Sequence, residues 1–424
     1  MNKKIKSILT IVVLGMAGGS IYCLPYLKYV FYDQMINTMH ISGSQLGLMI
    51  TVYSLACTVI QIPGGIISDR ISSKLSIFWS LLITSGLTIL YAFIPGSYGL
   101  SLVIWFLMAF TTIFLCWPAI MKTIRFLGED IGGGTAYGIY YAINGLTGGL
   151  VNMIALHVYG SFTSTDTGFF WAVIVIAAFT LIIPFVLMVL LRDYKEPTAE
   201  PGAEKPKAAD VKAALKNSTV WIISITLFCV YTVYIAVTYF NPYLTSQFGI
   251  SESFSGNLTI IRQFLFMALA PITGLIADKL FHSTLKWFLV GLTLVFVTIA
   301  GILFLGDSGS LGLVITLTLI TAFFMCGLYS VMYSIMGECN IPAKVAGTAI
   351  SIVSVVAFLP DSIMHTLFGK LIDSYGSTGY HYIFILMMGM CVLSFVGITV
   401  LLARVKKMKQ APAPVAPIAA EPAK

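Results

Sequence analysis

A chain of 424 residues that is 58% hydrophobic and 10% charged, with a mean hydropathy of +0.94, is not a water-soluble globular domain. Its formal charge of +7 comes from 24 Lys and Arg against 17 Asp and Glu. The cations fall in short clusters between long apolar runs, a distribution that excludes a nucleic-acid-binding patch.

The apolar runs are about 20 residues long, enough for a helix to cross hydrocarbon. They predict an all-α polytopic membrane protein of about twelve transmembrane helices. The first six lie near 8–32, 44–67, 75–95, 99–122, 135–158 and 169–191. The second six lie near 219–240, 255–276, 286–306, 311–336, 346–369 and 380–403. Lys3-Lys4-Ile-Lys6 ahead of an apolar run is shaped like a signal peptide, but the run continues past Ala17-Gly-Gly-Ser20. An uncleaved first span is expected. With the N-terminus inside, all Lys and Arg except Lys28, Arg262 and Lys370 fall on the inner side. This predicts both termini in the cytoplasm of a bacterial inner-membrane protein.

In the first span Lys28 sits amid Tyr22, Tyr26, Tyr29 and Tyr32. Two roles are open to it: snorkelling to the outer interface, or facing a central cavity as a cation. Between the second and third spans lies the polar hinge Gly65-Ile-Ile-Ser-Asp69-Arg70, followed by Ser72, Ser73 and Lys74. The fourth span ends with Trp117-Pro118 ahead of Lys122 and Arg125, which suit inner-side anchors. Glycines 132–134, 145, 148 and 149 crowd the fifth span, so it packs closely or slides against a neighbour. The same span carries Tyr137, Tyr140, Tyr141, Asn144 and Asn152, as solute ligands or as interhelical hydrogen-bonding groups. Residues 192–218 form a polar linker rich in Lys, Glu, Ala and Pro.

The second half repeats the first. Gly274-Leu-Ile-Ala-Asp278-Lys279 echoes the hinge 209 residues later, Phe324-Met-Cys326 echoes Phe114-Leu-Cys116 at 210, and Gly347-Thr-Ala349 echoes Gly134-Thr-Ala136 at 213. The predicted organisation is therefore a six-helix unit at 1–191, the linker 192–218, a second unit at 219–409, and a disordered Ala/Pro-rich tail at 410–424. Tyr231 and Tyr234 of the seventh span mirror the first-span tyrosines. Arg262 in the eighth span and Asp361 in the eleventh, with His365 one turn on, need partners at membrane depth; an Arg262–Asp361 ion pair is expected. Alternatively, Arg262 contacts a substrate anion and Asp361 carries a proton. The seven cysteines show no paired spacing and read as helix-packing residues. No nucleotide-binding loop and no catalytic constellation occurs, so neither an ATP-driven pump nor an enzyme is expected, and no cofactor or metal.

The duplicated Gly-x-x-x-Asp-Arg/Lys hinge resembles the loop between the second and third helices of major facilitator superfamily transporters. Within that superfamily the chain is similar to the organophosphate:phosphate antiporter branch. The similarity is carried by Tyr26-Leu-Lys28-Tyr-Val-Phe31, Gln45-Leu-Gly47, Trp117-Pro118, Asn241-Pro-Tyr-Leu244, Gly347-Thr-Ala349 and Gly369-Lys-Leu-Ile-Asp373. That branch carries sugar phosphates and clamps phosphate with two arginines. The first falls on Lys28, which keeps the charge without the bidentate fork; the second falls on Val233 or Tyr234. The branch's fifth-helix histidine falls near Asn144.

The resemblance implies two six-helix halves alternating about a midplane site, with Gly65, Asp69, Arg70, Gly274, Asp278 and Lys279 as gating residues on the cytoplasmic side. The expected function is secondary transport of a small polar, anionic metabolite. Lys28, Tyr26, Tyr22, Asn144, Tyr140, Tyr234 and Arg262 would bind it, and Asp361 is the candidate coupling residue for a proton or counter-ion. The protein is expected to act as a monomer in the bilayer. Proton-coupled transport of a neutral sugar and a non-transporting membrane sensor are the alternatives.

Overall fold

The computed structural model describes residues 3–68, 71–128, 133–191, 212, 215–306, 309–339, 341 and 343–410. All regular structure among them is helical. The bilayer explains why: hydrocarbon offers backbone groups no partner, so each segment must satisfy its own hydrogen bonds. It also explains the exposure of Val59, Val189 and Phe304, whose neighbours outside the protein are lipid tails.

Among the described residues, eleven helices are long and apolar enough to cross a membrane. The eighth predicted span differs from expectation because it is not one helix. It runs as Glu252–Ile260, a π segment Ile261–Leu265, Phe266–Ala268, Ala270–Leu275 and a second π segment Ile276–Leu280. Pro271 lacks the N–H that would bond Met267, which accounts for the break at Leu269.

Prolines also shape other spans. The first helix, Lys3–Ile21, gives way to a turn containing Pro25 and a 3-10 turn Leu27–Tyr29. The Pro25 carbonyl is taken by the Trp105 indole N–H at 3.0 Å. A separate helix, Tyr32–Met39, follows beyond the span. The seventh span, Ser218–Ala236, meets a 3-10 turn Val237–Tyr239 ahead of Pro242, then continues as Phe240–Phe248. The eleventh, Ala343–Phe358, breaks into a 3-10 turn Leu359–Ser362 at Pro360 and resumes as Met364–Tyr375. In the fourth, Tyr98–Ala109 and Trp117–Gly128 flank a π segment Phe110–Cys116 just before Pro118.

The remaining spans are Gly43–Ser68, Ser73–Phe93, Gly133–Gly160, Thr165–Leu190, Thr284–Leu305, Leu311–Ser330 and Ser377–Gln410. Helix pairing repeats between the halves. First packs on fifth and third on sixth; seventh packs on eleventh and ninth on twelfth. Second on fourth is matched by eighth on tenth. The two 3-10 turns, Leu27–Tyr29 and Val237–Tyr239, stand 210 residues apart, the offset of the sequence echoes. Most of the linker and the tail from 411 lie outside the described residues.

The halves meet through the second span against the eleventh and the fifth against the eighth. Glycines allow this approach. A Cβ on Gly47 would stand 2.3 Å from the His365 carbonyl oxygen, and one on Gly148 2.7 Å from the Phe264 ring. The end of the bundle opposite the chain termini, here called the far end, carries most of these contacts. There Asp373 accepts from the Gly43 and Ser44 N–H groups at 2.9 and 2.8 Å, so one half caps a helix N-terminus of the other. Asn37 donates to Glu252 at 2.9 Å and Thr245 to Asp33 at 3.0 Å across the same seam.

Candidate functional site

The three buried ionisable side chains singled out in the spans all sit where the helix is not regular. Lys28 lies in the 3-10 turn of the first span, Asp361 in that of the eleventh, and Arg262 in the first π segment of the eighth. Irregular backbone at membrane depth is tolerated where it is enclosed by protein or lines a cavity.

Lys28 is 2% exposed and reaches across the seam between the halves. Its Nζ lies 2.9 Å from His365 Nδ1 and donates to the Tyr239 hydroxyl at 3.1 Å. Tyr239 passes its own hydrogen to the His365 carbonyl at 3.0 Å. On the other face of the imidazole, Nε2 is 3.4 Å from the Tyr29 hydroxyl and 3.4 Å from Asp361 Oδ1. Asp361 Oδ2 accepts from Tyr231 at 2.7 Å, whereas Oδ1 has no well-aligned hydrogen bond. The result is a chain of four polar groups, Lys28, His365, Asp361 and Tyr231, crossing from one half to the other. As an ammonium Lys28 can only donate, so His365 Nδ1 accepts and Nε2 bears the hydrogen of the neutral ring. Lys28 is therefore enclosed between the halves and does not reach the outer surface.

A tyrosine wall flanks this chain. Tyr22, Tyr26 and Tyr29 pack in succession at tilted angles, with centroids 6.4 and 5.1 Å apart. On the opposite half Tyr234 lies flat on Tyr329 at 4.4 Å and accepts from Gln263 at 2.8 Å.

Other predicted site residues are placed differently. The Arg262–Asp361 ion pair does not form. Arg262, 1% exposed, donates to Thr259 at 3.0 Å and to Thr318 at 3.3 Å, and faces the Phe240 ring. The π segment turns Arg262 toward the tenth span, while Asp361 is taken up by Tyr231 and His365. Tyr140 and Asn144 hydrogen-bond each other at 3.4 Å and press against Gly18, holding the first and fifth spans together. Of the gating residues, Gly65 lies in the last turns of the second span, Gly274 in Ala270–Leu275, and Lys279 is exposed in the last π segment. The Asp278 side chain, Asp69 and Arg70 lie outside the described residues. A cleft of about 360 Å³ between the fifth and eighth spans, lined by His157, Ser253 and Asn257, touches none of the polar chain.

Sequence reasoning missed Tyr29 and Tyr239 as partners of His365. The signal was available: the two tyrosines are 210 residues apart, at the repeat offset, and each reaches the same imidazole ring or its carbonyl.

Comparison with known proteins agrees with this architecture. The sequence profile of the Major Facilitator Superfamily matches residues 8–243 and 223–423. The chain is 28% identical over 411 residues to inner membrane protein YihN of Escherichia coli (strain K12), covering 94% of this chain and 95% of that one. It is 22% identical over 412 residues to the glycerol-3-phosphate transporter of Bacillus subtilis (strain 168), covering 91% and 89%. Among solved structures, a bacterial homologue of the human lysosomal transporter Spinster, inward-facing and unoccupied, superposes with a TM-score of 0.70 at 14% identity. That match covers 97% of this chain and all of the other. The chain belongs to the Major Facilitator Superfamily and is a multi-pass membrane transporter for a small-molecule substrate, not an enzyme.

Proposed function

We propose that this protein is a secondary transporter that moves a small anionic metabolite across the bacterial inner membrane by alternating access, as a monomer with both termini in the cytoplasm. Two six-span units, 1–191 and 219–409, rock about the Lys28 seam, joined by the linker 192–218. The observation that carries this reading is Lys28: a buried cation between the halves whose hydrogen-bond partners, Tyr239 and His365, are neutral. An ammonium has three N–H groups and two are used, so one is left for a ligand. A single point charge suits one carboxylate, or a phosphate also held by tyrosine hydroxyls such as Tyr26 and Tyr29, better than a bidentate clamp. Relatives support the class, since one is a glycerol-3-phosphate transporter and others are inner-membrane proteins.

In this reading the far end is periplasmic, and the state is closed there. Among the described residues, every hydrogen bond joining the halves lies at the far end or at the level of Lys28. The hinges at Asp69 and Asp278 would latch the opposite, cytoplasm-closed state. Arg262, sealed among threonines, adds positive potential without touching the solute.

Thermal shift of the purified protein across phosphorylated, carboxylated and neutral metabolites identifies ligands, and uptake into proteoliposomes then tests Lys28. Lys28→Arg should keep partial transport, Lys28→Ala should lose most of it, and an acidic solute should compete better than its neutral analogue. Normal transport by Lys28→Ala, or equal competition by neutral analogues, overturns the anion reading. A second reading, symport of a neutral sugar, is favoured by one observation: Asp361 Oδ1, beside a tyrosine wall, has no well-aligned hydrogen bond and could accept from a sugar hydroxyl.

A further inference from the structure

The polar chain lies in the seam between the halves, where Gly47 approaches His365. Lys28 and Tyr29 belong to the first half; His365, Asp361, Tyr231 and Tyr239 belong to the second. The Gly47–His365 approach and the Asn241 bonds to the Tyr29 and Val30 carbonyls, both 3.3 Å, lie at the same level. Opening the far end must part them, and Lys28 then leaves His365.

We infer that His365 is the proton-binding group of this carrier and that Lys28 is the competing cation that expels the proton when the far end closes. The inference rests on the alternating-access part of the proposed function and not on the solute's charge. In the closed state one hydrogen lies between Lys28 Nζ and His365 Nδ1. An imidazolium with hydrogen on both nitrogens would confront the ammonium with an N–H and a like charge at 2.9 Å, so the closed pair holds one proton fewer than the separated pair. In the open state Nδ1 is free. It takes a proton from far-side water, forming an N–H bond, and Asp361 travels on the same span to balance the imidazolium. On closure that N–H bond breaks, Lys28 reoccupies the lone pair, and the proton passes to water on the terminal side. Each cycle thus carries one proton from the far side to the terminal side.

The other groups facing His365 do not do this. Tyr29, Tyr231 and Tyr239 are phenols that hydrogen-bond in place, and Asp361 stays with His365 in both states. Three carboxylates at the seam, Asp33, Glu252 and Asp373, titrate independently of it and are removed in the test.

The test uses full-length protein in lipid nanodiscs without any solute, so its outcome is independent of which solute is carried. Spin labels at Thr163→Cys and Thr378→Cys, both exposed at the far end on opposite halves, report opening. The background carries Asp33→Asn, Glu252→Gln and Asp373→Asn, with the native cysteines replaced. The ratio of open to closed should rise as pH falls, by up to tenfold per pH unit for one proton. His365→Gln should flatten the profile. Lys28→Met, which removes the competing ammonium, should flatten it too, so the inference stays testable if one variant fails to insert. A flat native profile overturns it. So does a native slope that survives in either variant.

Discussion

Arg262 ends in a guanidinium that is almost wholly enclosed, with hydroxyls and a phenyl face around it and no carboxylate among the partners described. Its stability contribution is therefore unlike that of a buried ion pair, where removing one member strands the other at roughly 3–5 kcal/mol. Thr259 and Thr318 also donate to their own helix carbonyls, at 3.2 and 2.8 Å, and remain satisfied without the arginine. Arg262→Met should consequently insert and melt close to the native protein, with a cost well below about 3 kcal/mol. Its effect should appear as a raised KM for an anionic solute with kcat little changed, since the charge acts by potential and not by contact. Melting curves and proteoliposome kinetics check the two parts separately. Lys28 is the opposite case, a cation that touches the seam directly, and so its replacement should act on transport itself.

Where elements meet, the far-end seam is governed by close backbone approach and by carboxylates. Gly47 faces the His365 carbonyl with no room for a methyl group, and that carbonyl is backbone, which cannot rotate away. Gly47→Ala should hold the halves apart at the far end, abolishing transport while leaving insertion and helix content intact; normal uptake by this variant would place the seam elsewhere. Asp33 lies beyond the first span, half-buried, where it accepts from Thr245. Burial raises its pKa from the usual 3.8 to about 6, opposed by the Thr245 hydrogen bond and assisted by the nearby Glu252 charge. A carboxyl whose pKa is raised in the closed state binds its proton more tightly there. It favours closure in acid, and that contribution is lost as pH rises through about 6. In a His365→Gln background, the far-end label distance should therefore report more closed protein at pH 5 than at pH 7. With Glu252→Gln and Asp373→Asn also in place, Asp33→Asn should remove this dependence.

The whole molecule is a duplicated bundle, and the duplication reaches below the level of helices. Matching helix pairs, the two 3-10 turns at one offset and the paired tyrosines Tyr29 and Tyr239 all follow it. Reporter fusions at residue 205 and at the C-terminus should both report cytoplasm, and one at Ser164 the periplasm. A periplasmic signal at 205 would overturn the proposed orientation and, with it, the assignment of the far end.

Apolar run length and charge placement were enough to determine an all-helical bundle of about twelve spans in two related halves, because each helix in hydrocarbon satisfies its own backbone and needs no information from elsewhere. The breaks were not anticipated, although Pro25, Pro242, Pro271 and Pro360 remove specific helix hydrogen bonds within apolar runs. Pro63 and Pro184 nevertheless sit inside continuous helices, so a proline alone does not decide. What only the tertiary structure decided is which buried charges meet. Arg262 and Asp361 occupy similar depths in sequence, yet the π segment and the 3-10 turn rotate them to different neighbours. The partner of Lys28 lies 337 residues away, in the other half. Side-chain direction at a break depends on local rotation of the helix, and contact across the seam depends on how two rigid halves dock. Neither is encoded by periodicity or spacing along the chain.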